Sequence, residues 1–270
     1  MLSSPKSLVT FFFLTYALSW ALWVPEALAM HGVPLPAPIV QFLASPFNPA
    51  AFGPLIAAFA LTLYANGWKG VRGWLRQALH VRFGKRWLGW VLLLPLLLFG
   101  GGIMGTILLG VTPFDPAILF NPPYALIGFV VIFLTAGPLQ EELGWRGYAL
   151  PRLLDGRSAL SASVILGLLW WLWHLPLVAI PGKFMTNDPW LFLLLGVEIV
   201  LTSILVTWVY LQTRGSVLAT MLFHTAMNWS IWIFLPSMTM TLPILILTIT
   251  LLALAVGWVV RRGLQAGFTP

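Results

Sequence analysis

The sequence predicts an all-α, polytopic integral membrane protein of about eight transmembrane helices with a polar site inside the membrane. Three observations predict it. Hydrophobic residues make up 60% of the chain and charged residues 8%, whereas charged residues are about a quarter of an ordinary soluble domain. Apolar stretches of membrane-crossing length recur from end to end. Several of the few ionisable residues lie inside those stretches, where a charge is costly and is kept for a function. The mean hydropathy of +0.94 agrees, and residues 1–270 read as a single transmembrane bundle. The absence of cysteine excludes disulfides, thiolate zinc sites and cysteine nucleophiles.

The first span is read over Leu8 to Met30. Its apolar run exceeds the h-region of about 7–15 residues in a cleaved signal peptide, so a span is preferred. An uncharged, Pro-rich connection, Gly32 to Pro49, leads to a second span over Ala50 to Ala65. Asn66 to Trp87 is the most basic stretch, with Lys69, Arg72, Arg76, Arg82, Lys85 and Arg86 interleaved with Trp68 and Trp74. Arg72 and Arg76 share a helix face, and the stretch predicts an amphipathic helix on an anionic membrane surface rather than a nucleic-acid contact. Leu88 to Val111 is the third span, with Pro95 and Gly100-Gly101-Gly102 expected to bend it or admit a close neighbour. The fourth runs from Tyr124 to about Leu150, kinked at Pro138 and stopped by Pro151. Gly144 and Gly147 predict close packing on one flank of it. The remaining spans are Ala159 to Ile180, Trp190 to Gln212, Ser216 to Leu235 and Leu242 to Val260.

Eight spans put both termini on one side, and the charges agree. Thirteen of the fourteen Lys and Arg residues fall on the side of the termini, and Lys183 alone falls on the other. The positive-inside rule makes the termini cytoplasmic, in a multi-pass protein of a prokaryotic plasma membrane.

Glu141 and Glu142 stand side by side within the fourth span, although the chain holds only seven acidic residues. Glu142 and Arg146 are i, i+4 and are expected to pair, while Glu141 points about 100° away, free of that pair. His174 follows Trp170 by four, so ring and imidazole share a face. His224 and Asn228 repeat the spacing and converge on one point. Together with Glu141 they form the polar set an active site needs. Counted from Ala159, His174 lies about 22 Å along the fifth helix, or about 16 Å if the helix starts near Ser163. The latter start would bring it level with Glu141 and His224 in the cytoplasmic half of the membrane. Glu198, buried in the sixth span toward the outer side, is a candidate to orient His174 or to line a water cavity.

The pattern resembles the CPBP family, the type II CAAX prenyl endopeptidases and bacteriocin-processing or self-immunity proteins, also called the Abi family. Its motifs are Glu-Glu-x-x-x-Arg, here Glu141 to Arg146; aromatic-x-x-x-His, here Trp170 to His174; and His-x-x-x-Asn/Asp, here His224 to Asn228. All occur in the family's order, within a core of about 122–235. Trp170 stands where Phe is commoner. The resemblance implies an intramembrane endopeptidase whose site opens toward the cytoplasm. Its catalytic residues would be Glu141, Glu142, His174, His224 and Asn228, with Arg146 as a structural ion-pair partner and Glu198 and Trp170 behind them. In one form of the mechanism Glu141, helped by His174, activates water, and His224 and Asn228 stabilise the oxyanion. In the other, His174, His224 and Glu141 hold Zn²⁺, which activates the water. The chain lacks His-Glu-x-x-His, and its sequence does not choose between the two. The implied partners are the lipid bilayer and a membrane-associated protein or peptide substrate, a prenylated C-terminus among them.

Two other classes compete. An ion- or proton-coupled transporter would use Glu141, Glu142 and Glu198 as a relay, against which the separate His-x-x-x-Asn pair argues. A non-catalytic immunity or scaffold protein would not need every motif side chain intact.

Overall fold

The computed structural model describes residues 5–45, 49–81 and 83–264; Arg82 and the side chain of Lys6, both counted among the basic residues above, fall outside this description. Eight helices are long and apolar enough to cross a membrane: α1 Ser7–Met30, α2 Pro49–Ala78, α3 Gly84–Leu108, α4 Pro122–Leu154, α5 Ala159–Ala179, α6 Pro189–Gln212, α7 Val217–Phe234 and α8 Leu242–Arg262. No strand occurs among the described residues. The all-α class and the number of spans are as the composition predicts.

α6 and α7 are the most enclosed helices, and the apolar window of α4 is the most open to surrounding lipid. α6 packs between α5 and α8, α7 lies against α3 and α4, and α1 and α2 flank the second half of α4. Small residues set the closest approaches, as membrane helices require. A Cβ on Gly144 would come 2.5 Å from Pro54 of α2, and one on Gly167 would come 2.9 Å from the Val200 Cα of α6. The expected packing flank on α4 is therefore present. Gly147 completes it, because the Trp74 indole donates to the Gly147 carbonyl at 3.0 Å.

The basic stretch differs from its prediction. α2 does not stop at the membrane surface: Gly67, with φ 61°, interrupts it, and the helix resumes to Ala78. Positive φ costs an L-residue about 1–2 kcal/mol but costs glycine little, so the redirection falls there. The amphipathic piece is thus shorter than Asn66 to Trp87, and Lys85, Arg86 and Trp87 belong to the first turn of α3. Pro95 does mark an irregularity, since a π-type stretch over Leu96–Gly100 follows it. α1 is bound into the bundle by its polar groups. The Tyr16 hydroxyl donates to the Leu169 carbonyl and the Trp20 indole to the Trp173 carbonyl, while Lys183 pairs with Glu26 at 2.5 Å.

Candidate active site

The fourth span is not one kinked helix. It is α-helical over Pro122–Thr135, breaks at Ala136 and Gly137, and restarts at Pro138. Proline has no N–H to give and disfavours the α conformation in the residue before it. Gly137 absorbs that demand with φ 103°. A break at membrane depth leaves backbone groups to satisfy without water. Gln140 meets two of them: its Nε2 donates to the Leu134 carbonyl at 2.7 Å, and its Oε1 accepts from the Gly137 N–H at 3.2 Å. Asn228 of α7 meets a third, donating from Nδ2 to the Ala136 carbonyl at 2.9 Å.

The restarted helix presents Glu141 in its first turn, and a π-type turn over Trp145–Ala149 carries Arg146. The two glutamates separate as their spacing predicts. Arg146 Nη1 donates to Glu142 Oε1 at 2.8 Å, and both side chains are fully buried. His224 Nδ1 lies 3.0 Å from the same Glu142 oxygen. An ion-paired carboxylate accepts, so Nδ1 carries the proton and the other ring nitrogen, Nε2, is left for the cavity. Arg146 also spans the Trp170 ring, 4.6 Å from its centroid, and donates to Ser203 Oγ at 3.5 Å. Glu142 is therefore placed behind His224, not on the cavity wall.

Glu141 is held by indoles instead. Trp170 Nε1 donates to its Oε2 at 2.6 Å, and Trp145 Nε1 lies 3.4 Å from the same oxygen. Trp170 also meets the His224 ring edge-on at 5.3 Å between centroids and shares a face with His174 at 6.1 Å. His174 closes the α-helical part of α5, and its Nδ1 is 2.8 Å from the Trp170 carbonyl. A carbonyl only accepts, so Nδ1–H donates and Nε2 keeps a lone pair in the neutral ring. The missing side chain of Gly137 leaves a gap that Glu141 Oε1 and His224 Cε1 both face, the latter 3.6 Å from where a Cβ would stand.

One cavity of about 500 Å³ lies toward the basic end, lined by Lys69, Trp74 and Arg152 among others. The polar set opens on a different one. Glu141, Trp170, His174, Glu198, His224 and Asn228 all line a cavity of about 460 Å³, roofed by residues of the 180–188 and 235–241 connections. Glu198 is 3% exposed there and lines the cavity, one of the two places its sequence position suggested, and among the described residues no hydrogen bond joins it to His174. The rest of the wall is apolar and aromatic, including Trp23, Trp173, Phe184 and Met227. Gln140, Trp145 and Ser203 are support residues that sequence reasoning did not single out. Gln140 had a signal, its place three residues after Gly137 at a proline helix start.

The depth expectation changes. Ser158 caps α5, accepting from the Ser161 N–H at 3.2 Å, and the helix begins at Ala159 rather than Ser163. His174 therefore lies about 22 Å along α5 from its start, whereas His224, on the same cavity, lies seven residues or about 11 Å into α7 from Val217. The cavity sits under the connections remote from the basic loops.

Zinc takes three or more protein donors, with Zn–N near ~2.0–2.1 Å. Among the described residues no group of three or more His, Asp or Glu is placed to hold a metal ion. His174, His224 and Glu141 share the cavity, and no chemical step is assigned to an ion there.

Residues 122–230 match the family described as type II CAAX prenyl endopeptidase Rce1-like. The chain is also 33% identical over 103 residues to a protein of Methanococcus maripaludis called CAAX prenyl protease 2. That similarity takes in 37% of this chain and 38% of the relative, so the chain spans well under half of the relative it matches.

Proposed function

From the match of residues 122–230 to the family described as type II CAAX prenyl endopeptidase Rce1-like, we propose that the protein is an intramembrane endopeptidase. It hydrolyses a peptide bond in a membrane-associated protein or peptide. The observation that carries this reading is the convergence of Glu141, His174, His224 and Asn228, from three helices, on one cavity with an otherwise largely apolar wall. A water-filled polar pocket inside an apolar bundle lets a carbonyl meet a base and oxyanion donors without bulk solvent competing.

Glu141 takes a proton from water as the oxygen attacks the scissile carbonyl, and the His174 Nε2 lone pair orients the same water. His224 faces the developing oxyanion with Nε2. It donates there from Nε2–H when the ring carries both protons, while Nδ1–H is held by Glu142. Asn228 Nδ2 has a second hydrogen beside the one given to the Ala136 carbonyl, and that hydrogen serves the oxyanion. When the tetrahedral intermediate collapses, the C–N bond breaks and the proton carried by Glu141 passes to the departing amine. Glu198 is the cavity carboxylate left to meet a substrate group.

The experiment is proteomics of membranes holding the active protein or its Glu141→Gln variant. New peptide termini are expected with the active protein alone. Loss of a general base costs about 10²–10⁴-fold, and unchanged termini with the variant overturn the assignment of Glu141. Metal is tested on the same preparation: with water activated by Glu141 and His174, metal-depleted protein keeps its turnover. One bound equivalent whose removal abolishes cleavage replaces this reading with the zinc form.

A further inference from the structure

We propose that the protein holds an anionic phospholipid by its phosphate in a groove at the basic end of the bundle, apart from the catalytic cavity. Two adjoining cavities form the groove, of about 500 Å³ and about 640 Å³, and they share Gly73 and Gln77 in their walls. The resumed part of α2, the end of α4 and the connection from α6 to α7 supply the walls. No residue lines both this groove and the cavity of Glu141. The site therefore stands whatever reaction that cavity performs.

Cations line the groove without a counter-charge. Lys69 and Arg152 stand in the first cavity, Arg76 and Arg214 in the second, and no Asp or Glu lines either among the described residues. Asp155, the acidic residue of the neighbouring connection, is in neither wall. Arg152 is held in place before any ligand arrives. Its Nη1 donates to the Tyr148 carbonyl at 2.8 Å, and its guanidinium lies over the Tyr148 ring, 3.5 Å from the centroid. Nη2 of this fixed planar fork is left for a phosphate oxygen, an acceptor whose geometry and charge suit it. Lys69, Gln77 and the hydroxyl of the buried Tyr210 add donors that no protein group engages among the described residues.

The groove is braced by the protein itself. The Trp74 indole, donating to the Gly147 carbonyl at 3.0 Å, fastens the resumed part of α2 to α4. His80 Nε2 lies 3.1 Å from the Arg214 carbonyl, and Ser216 Oγ donates to the His80 carbonyl at 2.7 Å, so two short connections support each other. Arg214 stands between them at φ 58°, a left-handed conformation that an L-residue adopts at a cost and that these bonds hold. Tyr64 and Trp68, both exposed, flank the break at Gly67. Such rings settle at the headgroup level, and a basic pocket between membrane helices at that level takes a lipid phosphate. The level favours a lipid's phosphate over a soluble one.

The purified full-length protein is titrated with phosphatidylglycerol or phosphatidylcholine, and bound lipid is counted by native mass spectrometry. One saturable equivalent of phosphatidylglycerol is expected, with phosphatidylcholine held more weakly. Arg152→Gln is expected to weaken the retained phosphatidylglycerol roughly tenfold or more, as the loss of a hydrogen bond to a charged group implies. Gly73→Leu tests the groove with every charge in place. A Cβ on Gly73 meets nothing within 4 Å, and leucine suits a helix better than glycine, so this variant should fold at least as stably while its side chain fills the groove and excludes the lipid. Arg72→Gln removes a charge from the same half-helix but outside both walls, and it should bind as the native chain does. Native binding in Arg152→Gln or in Gly73→Leu overturns the proposal. Equal weakening in Arg72→Gln also overturns it, because the attraction is then diffuse. Inorganic phosphate is added in competition: lipid retained against it supports the headgroup site, and displacement at equal concentration assigns the groove to a soluble phosphate and overturns the lipid.

Discussion

At the scale of single residues, neighbouring glutamates acquire opposite duties because their partners differ. Glu142 is caught between a guanidinium and an imidazole in a fully buried site, where taking away one partner leaves an uncompensated charge. Arg146→Ala is therefore expected to destabilise the fold by about 3–5 kcal/mol, seen as a large drop in melting temperature together with lost activity. Glu142→Gln should follow in milder form, since an amide oxygen still accepts from the guanidinium. Glu141→Gln should abolish cleavage with little change in melting temperature, and normal turnover in that variant would exchange the two roles. Trp170 permits a finer experiment. Its indole N–H lies 2.6 Å from Glu141, and phenylalanine keeps most of the ring while removing the donor. A hydrogen bond to a charged group is worth about 1.5–3 kcal/mol, so Trp170→Phe should lower kcat/KM roughly ten- to hundredfold. Glu198→Gln is expected to raise KM more than it lowers kcat, because that carboxylate has substrate rather than water to meet.

At the scale of elements, the broken fourth helix is what aims Glu141. A continuous helix would turn its carboxylate by the regular 100° per residue from Pro138 onward and leave no gap at residue 137. Gly137→Ala should be damaging on two counts, positive φ and contact with the Glu141 carboxylate. Strain alone is about 1–2 kcal/mol, so activity should fall further than stability, measured as turnover against melting temperature. Gln140→Ala should act through stability first. It strands the Leu134 carbonyl that Pro138 cannot serve, at about 1–3 kcal/mol for an unsatisfied buried group. The elements were largely legible in the sequence, because apolar length and Pro and Gly positions are local properties. The i, i+4 pairing of Glu142 with Arg146 was legible for the same reason. Not legible was anything that depends on which side chain another helix presents: the ring nitrogen His224 gives to Glu142, the carbonyl at 136 that engages Asn228, and the indole held against Glu141. Spacing along one helix shows which residues share a face, and says nothing of the azimuth of its neighbours. The start of α5 was likewise not settled by spacing, and one turn more or less there moves His174 by about 5 Å.

At the scale of the whole molecule, charge is arranged against the membrane rather than within the fold. The resumed part of α2 carries Lys69, Arg72 and Arg76 on its exposed side, beside Trp68 at 62% exposure, while Val71 and Ala78 are buried against the bundle. This half-helix has its own reason to lie at an interface: a tryptophan at headgroup level and cations facing anionic lipid. Each such cation near an anionic surface contributes about 1 kcal/mol, and the attraction decays within a Debye length. The folded bundle presents these charges in one plane, whereas an unfolded chain scatters them, so anionic lipid should favour the folded state. Melting temperature in nanodiscs with anionic lipid is expected to exceed that in zwitterionic ones, and the difference should shrink as salt rises. The triple variant Lys69→Gln, Arg72→Gln, Arg76→Gln should lose most of that difference while keeping its stability in zwitterionic lipid. Glu141→Gln, which leaves this surface unchanged, should keep the difference in full. A triple variant that responds to anionic lipid as the native chain does would show that the other basic residues, at the ends of α4 and α8 and in the connections, supply the attraction.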